Sequence, residues 1–290
     1  MRILSIQSSV AYGHVGNGAA VFPLQRLGHD VWAVNTVHFS NHTGYHGWRG
    51  PLLDPADVAD VITGIAELGV LPTCDAVLSG YLGAEAVGEV VLDAAARVRE
   101  ANPAVVYCCD PVLGDVGPGF FVRPGIPEFM RDRVVPAADV VTPNQFELEF
   151  LTARSVTSPT GLLTAVDALR DRGPRTVLVT SVRTDQTPAE DIEMVAADAD
   201  GAWSVRTPLL PISVDGAGDL TAALFLAHSL TDGTRVALER TAAGVFAVLR
   251  ATHETGRREI ALVAAQEELV APRKRFETTR LRCAPPAPLQ

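Results

Sequence analysis

Short apolar runs alternate with longer stretches of helical period along most of the chain, and this pattern constrains the fold more than any other feature. Residues 3–6, 31–34, 76–78, 104–108, 140–141 and 176–179 read as buried strands. Between them, residues 19–27, 54–69, 84–100, 145–151 and 162–172 carry helical spacing. Asp54-Pro55 is a helix-opening pair, an N-cap followed by a proline in the first turn, and Gly28 and Gly69 end helices. Residues 193–196 and 203–205 form a hairpin around Asp200-Gly201, and two long helices, 219–228 and 235–253, follow. Strands that are apolar on both faces and alternate with helices predict an α/β fold: a mostly parallel central sheet with helices on both faces. No composition break or repeat divides the chain, so residues 1–283 are expected to form a single domain. Residues 284–290, Ala-Pro-Pro-Ala-Pro-Leu-Gln, read as a disordered tail.

In such sheets ligands bind beyond the carboxyl ends of the strands, so motifs at those ends carry the functional signal. Val214-Asp215-Gly216-Ala217-Gly218-Asp219-Leu220-Thr221 leads into an apolar helix. The amides of Gly216, Ala217 and Gly218 sit where a helix N-terminus favours an anion, and Asp219 lies beside that anion hole. A carboxylate there can accept the proton of a hydroxyl that attacks a phosphoryl group. At Cys109-Asp110-Pro111-Val112-Leu113-Gly114-Asp115 a strand ends in a proline-kinked loop. Its two carboxylates suit Mg²⁺ or a monovalent cation, and they equally suit turn capping. Thr142-Pro143-Asn144-Gln145-Phe146-Glu147 has the spacing of a capping box at a helix start. All three motifs fall at expected strand ends.

Other motifs carry less. Gly16-Asn17-Gly18 follows a strand, but Val21 stands at the third glycine position and no acid ends the second strand, so a tight glycine turn is expected rather than a dinucleotide fingerprint. Gly-Lys does not occur as a pair, which excludes a Walker A loop. His38, His42 and His46 are four apart, but Asn41, Gly44 and Tyr45 oppose a helix and no carboxylate accompanies them, which argues against a metal site.

The charge balance is 24 − 34 = −10, which lacks the basic footprint that nucleic acid or an anionic membrane needs. Phosphate must therefore be held by local amides or a metal. No stretch reaches the length of a membrane span, and Met1-Arg2-Ile3-Leu4-Ser5-Ile6 is no signal peptide. Cys74, Cys108, Cys109 and Cys283 lack CxxC spacing and fit reduced thiols, so a cytoplasmic location is expected.

Gly216-Ala-Gly-Asp219 with Asn144-x-x-Glu147 upstream resembles the ribokinase-type small-molecule kinases. Within them, the chain is similar to the pyridoxal kinases. The resemblance is carried by Ile6-Gln7-Ser8, Gly13-His-Val-Gly16-Asn17, the block from Asn35 to Tyr45, Leu78-Ser-Gly-Tyr-Leu82, and the Asp110 and Asn144 motifs, and it runs from about Ile3 to about Arg273. It implies an ATP-dependent kinase acting on the 5′-hydroxyl of pyridoxal, and of pyridoxine and pyridoxamine, working as a homodimer with ATP over the carboxyl edge of the sheet. It further implies that Ser8 bonds the pyridine nitrogen, Thr43 lies near the 3-hydroxyl, and Phe39, Val15 and Tyr81 wall the ring. Asp219 is implied as the base, and Asp110, Thr142 and Thr180 as positions around a monovalent cation, K⁺ or Na⁺. Asp115, Asn144, Glu147 and Ser181 correspond to positions around Mg²⁺ and the ATP phosphates, and Thr207, Leu209 and Leu210 to a stretch near the adenine. Three positions depart from the family: Ser9 replaces a usual His, Thr180 a lysine common in bacterial members, and Asp215 stands where an apolar residue is common. A kinase for another alcohol, such as hydroxymethylpyrimidine, and a non-catalytic vitamin B6 binder are the rival readings.

Overall fold

The computed structural model describes residues 1–283. The 284–290 tail lies outside them. In chain order the elements begin with β1 (Arg2–Val10), α1 (Asn17–Arg26), β2 (Asp30–Phe39), α2 (Pro55–Glu67), β3 (Ala76–Ser79), α3 (Glu85–Ala101) and β4 (Val106–Cys109). A small hairpin follows, β5 (Gly114–Asp115) and β6 (Gly119–Phe120). Next come α4 (Ile126–Phe129), a π turn over Met130–Val134, α5 (Val135–Ala137), β7 (Val140–Val141), α6 (Gln145–Thr152) and α7 (Pro159–Arg170). The chain closes with β8 (Thr176–Val182), β9 (Asp191–Asp198), β10 (Gly201–Pro208), α8 (Ala217–Asp232), α9 (Thr234–Thr255), α10 (Gln266–Val270) and β11 (Thr278–Cys283).

The main sheet has nine strands in the order β11-β10-β9-β8-β7-β4-β3-β1-β2. The six from β2 to β8 are parallel, and β9, β10 and β11 continue the sheet antiparallel. The expected hairpin is present as β9–β10. The β5–β6 hairpin and β11 are additions that periodicity did not reveal.

Alternate residues of each strand enter different layers, as the two-residue period demands. Leu4, Val77 and Cys109 pack with residues of α2, α3, α6 and α7, whereas Ile3, Leu78 and Cys108 pack with residues of α1, α8 and α9. The adjacent cysteines thus face opposite layers, both fully buried and unpaired. Helix starts follow their caps: Asp54 accepts from the Ala56 amide at 2.9 Å and Ser158 from the Gly161 amide at 3.2 Å, each with proline next in the chain.

Two irregularities shape the sheet's carboxyl rim. Between Gln7↔Asn35 and Ser9↔His38, β2 carries one extra residue, a bulge opposite Ser8. Beneath it lies a polar knot. Asn17 donates to the Val34 carbonyl at 3.0 Å and to Asn35 Oδ1 at 2.9 Å, and accepts from the Ser5 hydroxyl at 2.8 Å. These bonds satisfy buried polar groups and fix where the turn after β1 enters α1.

Candidate active site

The carboxyl ends of the parallel strands gather most of the residues singled out from sequence. Ser8 sits near the end of β1, Phe39 ends β2, Tyr81 follows β3, and Asp110 follows β4. Thr142 follows β7, and Thr180 and Ser181 lie at the end of β8. Ser8, Val15, Phe39, Asp110, Thr142 and Glu147 are buried, and Tyr81 is half-buried. Thr43 and Asp115 are exposed.

Asp219 lies in the first turn of α8, which begins after Gly216 in the left-handed conformation, φ 87°. A side chain on Gly216 would place its Cβ 1.9 Å from the His14 carbonyl oxygen, so only glycine lets this turn seat against the 11–16 loop. The Asp219 carboxyl is raised above the usual carboxylate range by burial, and the amide of Gly16 and the charge of His42 oppose that rise. Gly16 has φ 53°, and a Cβ there would meet Ser8 Oγ at 2.4 Å. The glycine turn after β1 therefore touches both the serine and the carboxylate that the site needs.

Asp110 faces Asp219 across this cleft: a Cβ on Gly218 would lie 3.8 Å from Asp110 Oδ2, and Asp219 is the charged neighbour that Asp110 feels most. Only 5% of Asp110 is exposed, and the Thr142 hydroxyl donates to its Oδ1 at 2.9 Å. Burial first, then the Asp219 charge, push its carboxyl up to about 8. Thr180 is brought beside the segment that follows Thr142, since its amide donates to the Pro143 carbonyl at 2.9 Å and it bridges Asn144. Ser181 adopts φ 55°, a left-handed geometry rare for a residue with a side chain and frequent at functional sites.

Asn144 and Glu147 form the complete capping box expected at α6. Glu147 does more than cap. Its Oε2 accepts from the Asn144 amide at 2.9 Å, while Oε1 accepts from the Leu113 amide at 2.8 Å and the Gly114 amide at 3.4 Å. Asn144 Nδ2 in turn donates to the Gly114 carbonyl at 2.7 Å. The pair thus staples the loop after β4 to the start of α6, and burial holds the Glu147 carboxyl well above its usual range. Asp115, at the tip of this loop, bonds the Val116 amide at 2.7 Å.

Asp110 and Glu147 are buried and Asp219 is half-buried, all three carboxyls have raised proton affinity, and His42 is the one basic side chain among the leading influences on them. Such a donor set fits a cation, which would replace the missing positive charge. Among the described residues, no three His, Cys, Asp or Glu side chains converge to hold a metal ion. Mg²⁺ commonly binds through one or two carboxylates together with substrate phosphates, and these residues fit that mode.

Sequence reasoning missed the outer wall. Trp48 stacks on Phe39 with ring centroids 4.1 Å apart. His42 lies 3.0 Å from Asp215, and Tyr45 donates to Glu259 at 2.6 Å. These partners are far apart in the chain and have no common spacing. The one available signal was Asp215, a charged residue directly before the glycine turn.

The phosphomethylpyrimidine kinase family model matches residues 30–261. A pyridoxal kinase from Rubrobacter xylanophilus is 63% identical over 97% of this chain and 98% of its own length. One from Leifsonia xyli subsp. xyli is 55% identical over 97% of this chain and 100% of its own. The chain belongs to the pyridoxal kinase family. A pyridoxal kinase from Leishmania donovani, solved in complex with ADP and pyridoxamine, superposes with a TM-score of 0.91 at 30% identity, covering 97% of this chain and 99% of that one. The ribokinase-like α/β fold of the pyridoxal kinases is thus the fold of this chain. No described helix is long and apolar enough to cross a membrane.

Proposed function

We propose that this pyridoxal kinase transfers the γ-phosphoryl group of ATP to the 5′-hydroxyl of pyridoxal, with Asp219 as the general base. The observation that carries the reading is the half-buried Asp219 carboxyl beside the glycine turn Gly216–Gly218, with the Gly16 amide against it and Asp110 opposite. The relatives' names supply the substrate.

In this reading Ser8 meets the ring nitrogen, Phe39, Val15 and Tyr81 wall the flat apolar ring and Thr43 faces its 3-hydroxyl; it is supported by the burial of Ser8, Val15 and Phe39 and the half-burial of Tyr81. Asp219 accepts the alcohol's proton as the oxygen attacks the γ-phosphorus. The bond from that phosphorus to the bridging oxygen breaks, and ADP leaves with the electron pair. A carboxyl raised by burial is a stronger base than an exposed one, which suits it to an alcohol near neutral pH. The amides of Gly216, Ala217 and Gly218 form the anion hole for charge on the transferring group. Asn144, Ser181 and Asp115 border the phosphates, with Glu147 bracing the loop beneath them. Thr207, Leu209 and Leu210 border the adenine.

Asp110, Thr142 and Thr180 would hold a monovalent cation, and Asp115 and Glu147 lie on the Mg²⁺ side. Such cations supply charge neutralisation to the phosphates. The homodimer implied by the resemblance belongs to this reading. So does a cytoplasmic location, supported by the free buried thiols of Cys74, Cys108 and Cys109.

The test is ADP release with a panel of alcohols, the phosphorylated product being located on its oxygen. Pyridoxal, pyridoxine or pyridoxamine phosphorylated at the 5′ oxygen is the expected result. Turnover confined to hydroxymethylpyrimidine would assign the chain to that substrate instead, and tight pyridoxal binding without ADP release would make it a binder.

A further inference from the structure

The loop after β2 crosses to a part of the molecule that the chemistry described so far leaves unused. His42 Nδ1 lies 3.0 Å from Asp215 Oδ2 and 3.2 Å from the Gly44 amide nitrogen, so the imidazole is seated between Asp215 and its own loop. Arg258 Nη2 donates to the Gly44 carbonyl at 2.7 Å and reaches the same Asp215 oxygen at 3.4 Å. Its guanidinium lies over the Tyr45 ring, 3.8 Å from the centroid. Tyr45 donates to Glu259 Oε1 at 2.6 Å, and Glu259 Oε2 accepts from the His14 amide at 3.1 Å.

Asp215 is central in this chain of contacts. It immediately precedes Gly216, the residue that opens α8 toward Asp219, and it bridges Glu259 through the backbone. Its side chain is about a quarter exposed, which leaves its two ion pairs partly shielded from solvent. Basic side chains from two separate segments meet it, His42 from the loop after β2 and Arg258 from the segment after α9. An apolar residue at this position could make neither contact.

We propose that Asp215 is a positioning residue for the vitamer. Its carboxylate, with Arg258 as a second tether, holds His42 and with it the 41–48 loop against the turn that carries Asp219. The inference rests on the function proposed above, because it gives the tethered loop, with Thr43 next to His42, a substrate to hold. Asp215 touches no reacting atom in this scheme. It lowers the cost of ordering the loop, so its effect falls on vitamer binding and not on ATP binding.

The experiment measures steady-state constants of the full-length enzyme with ATP and pyridoxal for Asp215→Val, Asp215→Asn, Asp215→Glu, His42→Gln and the His42→Gln/Asp215→Val pair. A partly exposed, hydrogen-bonded ion pair is worth about a fivefold change in binding, so KM for pyridoxal should rise about that much in Asp215→Val. KM for ATP should stay within about twofold, and the double variant should be no worse than the poorer single one, the mark of one shared interaction. Asp215→Glu should recover most of the loss. Asp215→Asn keeps the size of the side chain and gives the same readout should valine impair folding. Unchanged KM for pyridoxal in Asp215→Val and Asp215→Asn, losses that multiply in the double variant, or equal rises in both KM values would each overturn the proposal. None of these outcomes bears on Asp219, whose own substitution tests the general-base reading separately.

Discussion

Gly16 rests on Ser8 so closely that a methyl group on Gly16 would fall 2.2 Å from the Ser8 carbonyl oxygen. The same glycine directs its amide at Asp219. The serine and the carboxylate to which the proposed mechanism gives the ring nitrogen and the proton transfer are therefore referenced to one backbone unit. Gly16→Ala combines a positive φ with this clash and should destabilise the fold by about 1–3 kcal/mol. Thermal denaturation checks the stability loss, and kcat/KM should fall in the residual folded enzyme. A variant with wild-type stability and turnover would show that the turn relaxes freely.

Asp219→Asn keeps the shape of the side chain and removes its ability to take a proton. Turnover should drop by about 10²–10⁴-fold while ATP affinity stays near wild type. Single-turnover kinetics together with nucleotide calorimetry separate the two effects, and a near-normal kcat would remove Asp219 from its role.

Asp110 predicts a pH signature. Its carboxyl is raised from 3.8 to about 8 in the folded chain, so the folded state binds the proton more tightly than the unfolded one. The stabilising contribution is complete below the unfolded value, and stability then falls as pH rises from about 4 through about 8. Melting temperatures in a buffer of bulky organic cations should show this decline. K⁺ should reverse it at pH 8 and do little at pH 5. In Asp110→Asn the slope should be shallower and the K⁺ effect lost, and a persistent K⁺ effect would place the cation elsewhere.

Glu147→Gln tests the staple. The glutamine oxygen can serve the Leu113 and Gly114 amides, but its NH₂ then meets the Asn144 amide donor to donor. The cost should be about 1–3 kcal/mol for the amide left unpaired. KM for ATP should rise with it, because the loop carrying Asp115 loses its brace. Chemical denaturation and ATP titration measure both.

Trp48 stacks on Phe39, and Phe39 is one of the residues placed against the vitamer ring. Pyridoxal binding should therefore change the fluorescence of Trp48, and Trp48→Phe should abolish that change while leaving the signals of Trp32 and Trp203. An undiminished response in the variant would separate the aromatic pair from the substrate pocket.

Much of this architecture is legible in the chain because each βα unit is locally written. The inner parallel strands β3, β4 and β7 are short apolar runs buried on both sides, and Asp54, Asn144 and Ser158 begin helices by their own side chains. β11 is not legible: Thr278-Thr-Arg-Leu-Arg-Cys283 is polar and charged, and it becomes a strand only because β10 offers it an edge. The catalytic motifs stand out because glycines beside a carboxylate are needed where backbone meets backbone. The outer loop does not. His42 looks like a stray histidine until folding brings it to Asp215, and Arg258 and Glu259 look like surface charges until they meet the other end of the chain.

The reversal of strand direction at β9 has a consequence for how such an enzyme can diversify. Thr207 to Leu210 reach the carboxyl rim at the end of a hairpin, tied down by the Leu209 amide donating to the Glu190 carbonyl at 2.7 Å. Ser8 and Asp110 stand at the ends of parallel strands, whereas Asp219 opens the helix that follows β10. In the proposed reading the ribbon borders the purine and the β1 and β2 ends border the vitamer ring, so donor and acceptor recognition can diversify on separate pieces of one sheet, with the segment from β10 to Asp219 as the point where they meet.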